Sequence, residues 1–175
     1  WIVLPKASHA TLDRLIGPSD YQARLGANTG GANGVYWVEI RGKASGGLRI
    51  RNLPARGKQA VPQVECVVEP DLLYPLVRWA DLRRGRAEPS VCILLVQNVQ
   101  TRTGISEDLL RCSYPKTFAY LKRFEPLLLL RAAYRRYQGE SLFYSMYNVG
   151  PESVSPWKVA WRRMDRRINA AILAV

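Results

Sequence analysis

The run Val91-Cys92-Ile93-Leu94-Leu95-Val96 constrains the fold more than any other stretch of this chain. It follows the Glu88-Pro89-Ser90 turn and holds no polar residue. It is far too short to cross a membrane. A strand with one wet face would alternate, and this one does not, so it reads as a central strand buried on both faces.

The flanking sequence predicts its neighbours. Val35–Ile40 and Leu48–Leu53, joined by the polar turn 41–47, form a hairpin, and Val64–Val68 adds a third strand. Leu142–Val149, carrying Phe143, Tyr144 and Tyr147, and Trp157–Trp161 predict two more. Ile168–Val175 fits helix or strand. Glu69-Pro70-Asp71 opens a helix, since proline suits the first helical position and acids the N-terminus. Its apolar positions are Leu72, Leu73, Leu76, Val77 and Trp79, and Arg78, Arg83, Arg84 and Arg86 make its far end basic. The acids at its start read as caps rather than catalysts, and Asp81 as an ion-pair partner of the nearby arginines. Ser106 with Glu107-Asp108 opens a short helix through Leu110. Tyr114-Pro115 starts the longest helix, which Pro126 kinks or splits near Phe124 and Gly139 ends. On it Lys116 and Arg123 share a face, as do Arg131 and Arg135. Trp1–Leu4 is an apolar piece, and a brief helix runs from Ser8 or His9 through Leu12, Leu15 and Ile16. Strands in pairs separated by helices give an α+β class: one domain over residues 1–175, with a mainly antiparallel or mixed sheet and packed helices.

Tyr21–Ile40 stands out locally. Residues 26–34 hold four glycines and two asparagines, which favour positive φ and close backbone approach. The plain reading is a long surface turn feeding a strand. The spacing is not that of a dinucleotide or P-loop signature.

Charge bounds the partners. The 175 residues carry net +12, from 26 Lys and Arg against 14 Asp and Glu. Residues 1–110 contribute +4 and residues 111–175 contribute +8. A basic half of this kind attracts polyanions, and an arginine-rich one suits phosphate forks and guanine edges. The plainer account is a solvated arginine-rich surface. Cys66, Cys92 and Cys112 are widely spaced, and His9 cannot complete a zinc site with them; they read as buried thiols of a cytoplasmic protein. No metal cluster, nucleophile elbow or Cys–His pairing occurs, so no catalytic residue and no metal ligand is assigned. No membrane segment is expected. The chain opens at Trp1 without an initiator Met, which predicts a piece of something longer.

The residues also carry a resemblance. Ala23-Arg24-Leu25-Gly26-Ala27-Asn28-Thr29-Gly30-Gly31-Ala32-Asn33-Gly34-Val35-Tyr36 resembles the start of the target recognition region of large adenine-N6 DNA methyltransferases, the single-chain type IIG restriction–modification enzymes and their relatives. Glu69-Pro70-Asp71-Leu72-Leu73-Tyr74-Pro75-Leu76-Val77-Arg78 with Asp81-Leu82 is similar to that family's Glu-x-x-Leu-Leu-Tyr-Pro-Leu-Leu-Arg segment. Tyr114-Pro115-Lys116-Thr117-Phe118-Ala119-Tyr120-Leu121, then Arg131 and Tyr134, is similar to its Tyr-Pro-x-Thr-x-x-Tyr-Leu helix. Phe143–Val149 and Pro156–Trp161 are similar to its closing pair of strands. The matches keep their order over roughly residues 21–161.

The resemblance implies the specificity half of such an enzyme. The glycine-rich S-adenosylmethionine motif and the Asn-Pro-Pro-aromatic motif are missing, so this piece would hold no cofactor and transfer no methyl group. Its partners would be double-stranded DNA and the methyltransferase domain of the same parent chain. The residues expected at DNA are Arg24, Asn28, Thr29, Gly30, Gly31, Asn33, Lys116, Arg123, Arg131 and Lys158. Tyr144, Tyr147 and Trp157 are either core aromatics or bases' stacking partners. Two other classes stand beside this one: a basic protein–protein or scaffold module without DNA specificity, and an orphan enzyme domain.

Overall fold

The computed structural model describes residues 5, 17, 18, 20, 22–56, 60–83, 85–137, 139–163, 165–167 and 169–174. The apolar piece Trp1–Leu4 and the brief helix through Ile16 lie outside the described residues, as do Tyr21, Lys58, Arg84, Ile168 and Val175. The class is α+β, as the pattern of strands and helices predicts, and the main sheet is antiparallel throughout.

Its strands are β1 (Trp37–Ala44), β2 (Gly47–Asn52), β3 (Glu65–Val68), β4 (Leu73–Leu76) and, after the small hairpin β5 (Leu82–Arg83)/β6 (Arg86–Ala87), β7 (Val91–Leu94). The order is β3-β2-β1-β7-β4. The expected β1–β2 hairpin turns at Ser45-Gly46, where Gly46 takes φ +70°. β7 lies inside the sheet, and Ile93, Leu94, Leu95 and Val96 are all buried. The uninterrupted apolar run thus does what it predicts.

The helix expected after Glu69-Pro70-Asp71 does not form. Pro70–Leu72 is one 3-10 turn, and Leu73–Leu76 pairs with β7 as the edge strand β4. The reason lies in β7: a strand buried on both faces needs a ladder on both sides, and β4 supplies the second one. Pro75 would break a helix at a cost of about 3 kcal/mol. Leu95 N–H donates to Leu72 O at 2.8 Å, so rungs alternate from there and Pro75 faces Cys92 on a rung that needs no donor. Arg78 closes the next turn onto Asp81 at 2.8 Å, the ion pair expected of Asp81, and it holds the Asp81 carboxyl below its ordinary range.

Next come the small hairpin β8 (Gln97–Asn98)/β9 (Thr103–Gly104) and the helical layer. Its helices are α2 (Glu107–Ser113), α3 (Pro115–Lys122), α4 (Glu125–Leu129) and α5 (Ala132–Tyr137), with a single turn α1 (Asn33–Tyr36) earlier in the chain. Ser106 caps α2 by accepting from Leu109 N–H. Pro126 divides the long helix near Phe124, as expected. Glu69 is a cap, though not of its own segment. It reaches the first turn of α3 and accepts from Lys116 N–H (3.0 Å), Thr117 N–H (2.9 Å) and Thr117 Oγ1 (2.7 Å). One carboxylate therefore fixes the helical layer on the sheet at a helix N-terminus, where negative charge is favoured.

Leu142–Val149 is not a strand. Phe143, Tyr144, Ser145 and Met146 are buried in succession, and the only pairing among the described residues is a single bridge of Tyr147 with Asn28. The segment crosses the core with its carbonyls satisfied by side chains. Arg131 donates to Phe143 O and Ser145 O, Tyr36 to Tyr144 O, and Gln97 to Met146 O. Aromatic alternation looks like a strand, but here each aromatic fills core space and side-chain donors replace the ladder.

The chain closes with a two-stranded ribbon, β10 (Trp157–Trp161) and β11 (Ala170–Ala174), which settles the last segment as strand. Gly85 N–H donates to Ala170 O at 2.7 Å, joining the β5–β6 turn to this ribbon.

Candidate nucleic-acid interface

The stretch 26–34 is less open than a glycine-rich surface turn should be. Gly30 and Gly31 take φ +67° and +95°, so the chain does use the left-handed region that glycine permits. Yet Thr29 and Ala32 are buried, and residues 33–36 wind into α1 before β1 begins at Trp37. Thr29 Oγ1 donates to Asn33 Oδ1 at 2.6 Å, and Gly30 N–H donates to Asn28 Oδ1 at 2.8 Å. These polar groups first of all shape the turn.

Arg131 holds that turn from inside. It is 1% exposed, where helix-face spacing with Arg135 predicts an outward side chain. It follows the break after α4, so its side chain points into the core while Arg135 stays outside. Its guanidinium donates to Leu128 O (2.9 Å), Thr29 O (2.9 Å), Ser145 O (2.9 Å) and Phe143 O (2.7 Å). Four of its five N–H donors are thus spent on backbone carbonyls, and no ion pair to it occurs among the described residues. The carbonyl end of α4 favours a positive charge at this place. Tyr36, Tyr120 and Tyr144 surround the same region. Burial pushes their phenols far above the ordinary value, so they stay protonated and donate to Tyr144 O, Val35 O and Ile105 O.

The remaining candidates are scattered. Arg24 and Asn28 are exposed, and Arg24 donates to Gln22 Oε1. Arg24 also lies close enough to lower the Glu152 carboxyl, after the larger effect of the paired hydrogen bonds from Arg102 at 2.9 Å. Lys116 is half-buried and donates to Gly46 O at 2.5 Å, tying α3 to the β1–β2 turn. Arg123 is exposed on the α3 side and near Cys66. Lys158 donates to Ser153 O at 2.6 Å, and burial lowers its pKa. The structure therefore gathers Asn28, Thr29, Gly30, Gly31, Asn33 and Arg131 into one cluster, and among the described residues Lys116, Arg123 and Lys158 have other partners and no hydrogen bond to it. Tyr144 belongs to the core, and Trp157 is exposed.

Three features escaped sequence reading. The carbonyl-binding roles of Arg131 and Gln97 have no local signal. The run Arg162-Arg163-Met164-Asp165-Arg166-Arg167 holds four arginines in six residues and is a signal that charge patterning could have raised. The ribbon also presents Trp157, Val159, Trp161 and Ile172 on one face, 50–70% exposed. The thiols also differ from expectation: Cys66 and Cys92 are half-buried with pKa values raised by burial, whereas Cys112 is exposed on the outer side of α2. Among the described residues no helix is long and apolar enough to cross a membrane, and no group of three or more His, Cys, Asp or Glu gathers.

No protein-family model matches the chain, and no solved structure matches it. A curated relative does. The chain is similar to part of a type II methyltransferase. That protein is M.NspV from Nostoc sp. (strain ATCC 29411 / PCC 7524), 33% identical over 109 residues. The match takes in 60% of this chain and 22% of the relative, so the chain spans about a fifth of the length of that protein. This likeness supports a methyltransferase-related domain.

Proposed function

We propose that this chain is a DNA target recognition domain, the specificity part of an adenine-N6 DNA methyltransferase or restriction–modification enzyme. The observation that carries the reading is the 33% identity to M.NspV over 60% of this chain. The ordered sequence segments and the net charge of +12 support it. On this reading the domain binds duplex DNA, with phosphate contacts setting register and supplying much of the affinity and side chains reading base edges. Arg24, Asn28 and Arg123 are exposed and free to meet DNA. Gly30 and Gly31 bring the backbone close, Lys116 and Lys158 offer half-buried charges, and Thr29, Asn33 and Arg131 hold the turn in shape.

Adenine chemistry requires the base to leave the stack. That step and S-adenosylmethionine belong to a further domain of the parent protein. Among the described residues, the open cleft of about 560 Å³ between β1, β2, Pro75 and residues 89–92 is a poor fit for the cofactor, because its Glu39 is already paired with Arg41 and Arg51.

Binding to a mixed-sequence 30-base-pair duplex, followed by fluorescence anisotropy across salt, tests the reading. A steep fall of log affinity with log salt is expected, about 0.9 per phosphate neutralised. Absence of binding at low salt would sink the reading for this chain. Arg24→Ala with Asn28→Ala should weaken binding while leaving the unfolding midpoint in place, and unchanged affinity would remove the 24–28 segment from the interface.

The apolar ribbon face favours a second reading, a protein-contact module. Exposed Trp157, Val159, Trp161 and Ile172 together form a patch of the kind that marks protein interfaces. Within the leading reading this face packs on the parent's catalytic domain.

A further inference from the structure

Two hairpin turns are joined by a backbone hydrogen bond, and both carry arginines. The first is the β5–β6 turn, where Arg83 and Arg86 flank Gly85. The second is the link between β10 and β11, of which residues 162, 163, 165–167 and 169 are described. Gly85 N–H donates to Ala170 O at 2.7 Å, and Ala170 pairs with Trp161, so the two turns are immediate neighbours. Arg162 lies over the Trp79 ring at 4.3 Å, which ties this link to the turn Trp79–Asp81 that precedes β5.

The longer turn is ordered by one carboxylate. Asp165 accepts from Arg162 (2.9 Å), from Asn169 Nδ2 (2.7 Å) and from Arg166 N–H (2.7 Å), and Arg162 N–H closes the turn on Asn169 O. Asp165 and Arg162 thereby neutralise each other, as do Glu88 and Arg86. Arg83, Arg163, Arg166 and Arg167 are exposed, and none of them forms an ion pair among the described residues. Four uncompensated guanidinium groups are thus displayed from a built turn and its neighbour. Self-repulsion on this scale disfavours the free state and is relieved by a polyanion.

We infer that these two turns form a clamp for the phosphate backbone of duplex DNA, built from residues other than those of the 24–33 cluster. The inference rests on the DNA-binding reading above and adds the surface that supplies its salt-dependent affinity. Arginine forks suit phosphate oxygens, and two adjacent turns can grip consecutive phosphates.

The test compares three forms of the full 175-residue chain on the same 30-base-pair duplex: wild type, the triple variant Arg163→Ala/Arg166→Ala/Arg167→Ala, and the corresponding triple Lys variant. A control replaces exposed Arg56, Arg135 and Arg136 by Ala. Far-ultraviolet circular dichroism and urea unfolding confirm that the folds match. The Ala triple is expected to lower the log–log salt slope by about 2 to 3 and to weaken binding more than tenfold at 0.1 M salt. The Lys triple should keep the wild-type slope, and the control should change slope by much less than the Ala triple. If wild type binds and the Ala triple keeps its slope and affinity, the clamp is wrong while the DNA reading stands. A Lys triple that loses as much slope as the Ala triple also overturns the clamp. If wild type does not bind duplex at all, both inferences fall.

Discussion

Replacing Arg131 is the sharpest probe of how this core is organised. Arg131→Met keeps the length and apolar stem of the side chain and removes the guanidinium. Four backbone carbonyls, of Thr29, Leu128, Phe143 and Ser145, then lose a donor inside the protein. Thr29 O and Leu128 O keep the longer bonds from Ala32 N–H and Arg131 N–H, so Phe143 O and Ser145 O are the two left unsatisfied, and at about 1–3 kcal/mol for each the gross loss is about 2–6 kcal/mol. Relief of the buried positive charge offsets part of this, leaving a net loss of about 3 kcal/mol. That is a large share of the roughly 5–15 kcal/mol that holds a domain together. With a urea m-value of about 2 kcal/mol/M, the midpoint falls by about 1.5 M. Arg131→Lys should lose nearly as much, because an ammonium keeps the burial cost of the charge but lacks the planar fork that reaches four acceptors. Urea unfolding followed by tryptophan fluorescence reads both variants. If either stays within about 0.5 kcal/mol of wild type, Arg131 does not hold the 28–31 turn against residues 143–145. A variant that loses DNA affinity at unchanged stability would return Arg131 to the interface.

Other outcomes follow from single contacts. Hydrogen bonds from Thr117 and Lys116 outweigh burial and lower the Glu69 pKa. The stability it adds is therefore present above the ordinary carboxylate value and is lost as pH falls through the folded one. Glu69→Gln should cost about 1 kcal/mol at pH 7 and flatten the acid limb of a stability–pH profile. Gly34→Ala would set a Cβ 2.7 Å from Val61 and 3.0 Å from Pro54 O, so calorimetry should show a loss of about 1–3 kcal/mol. With an aromatic disulfide reagent on the native protein, Cys112 should react first, and Cys66 and Cys92 only on slower opening.

Much of the fold could be read where local pattern and burial agree. The apolar run 91–96, the β1–β2 alternation, the Ser106 cap and the break at Pro126 each carry their own signal. The misreadings share one cause: a tertiary partner overrode a local pattern. Glu69-Pro70-Asp71 has the chemistry of a helix start, but β7 needed an edge strand, and the carboxylate serves a helix 47 residues on. Leu142–Val149 has strand composition, but its carbonyls are met by Arg131, Tyr36 and Gln97 from distant parts of the chain. For the candidate site, the turn-forming residues at 26–34 were evident, while the inward aim of Arg131 was not. Spacing alone cannot tell which way a side chain turns at a helix break.

Pro75 has a further consequence for how the molecule behaves among its own kind. It sits mid-strand on β4, at the open margin of the five-stranded sheet, with its ring nitrogen on the rung facing away from β7. A margin of this sort is a template on which a strand from another copy can stack, starting a growing fibre. At Pro75 that template has a missing donor and a protruding ring, so an incoming strand cannot complete its hydrogen bonds there. A chain that shows a row of tryptophans and isoleucine on its closing ribbon is thus guarded at this sheet margin against runaway assembly.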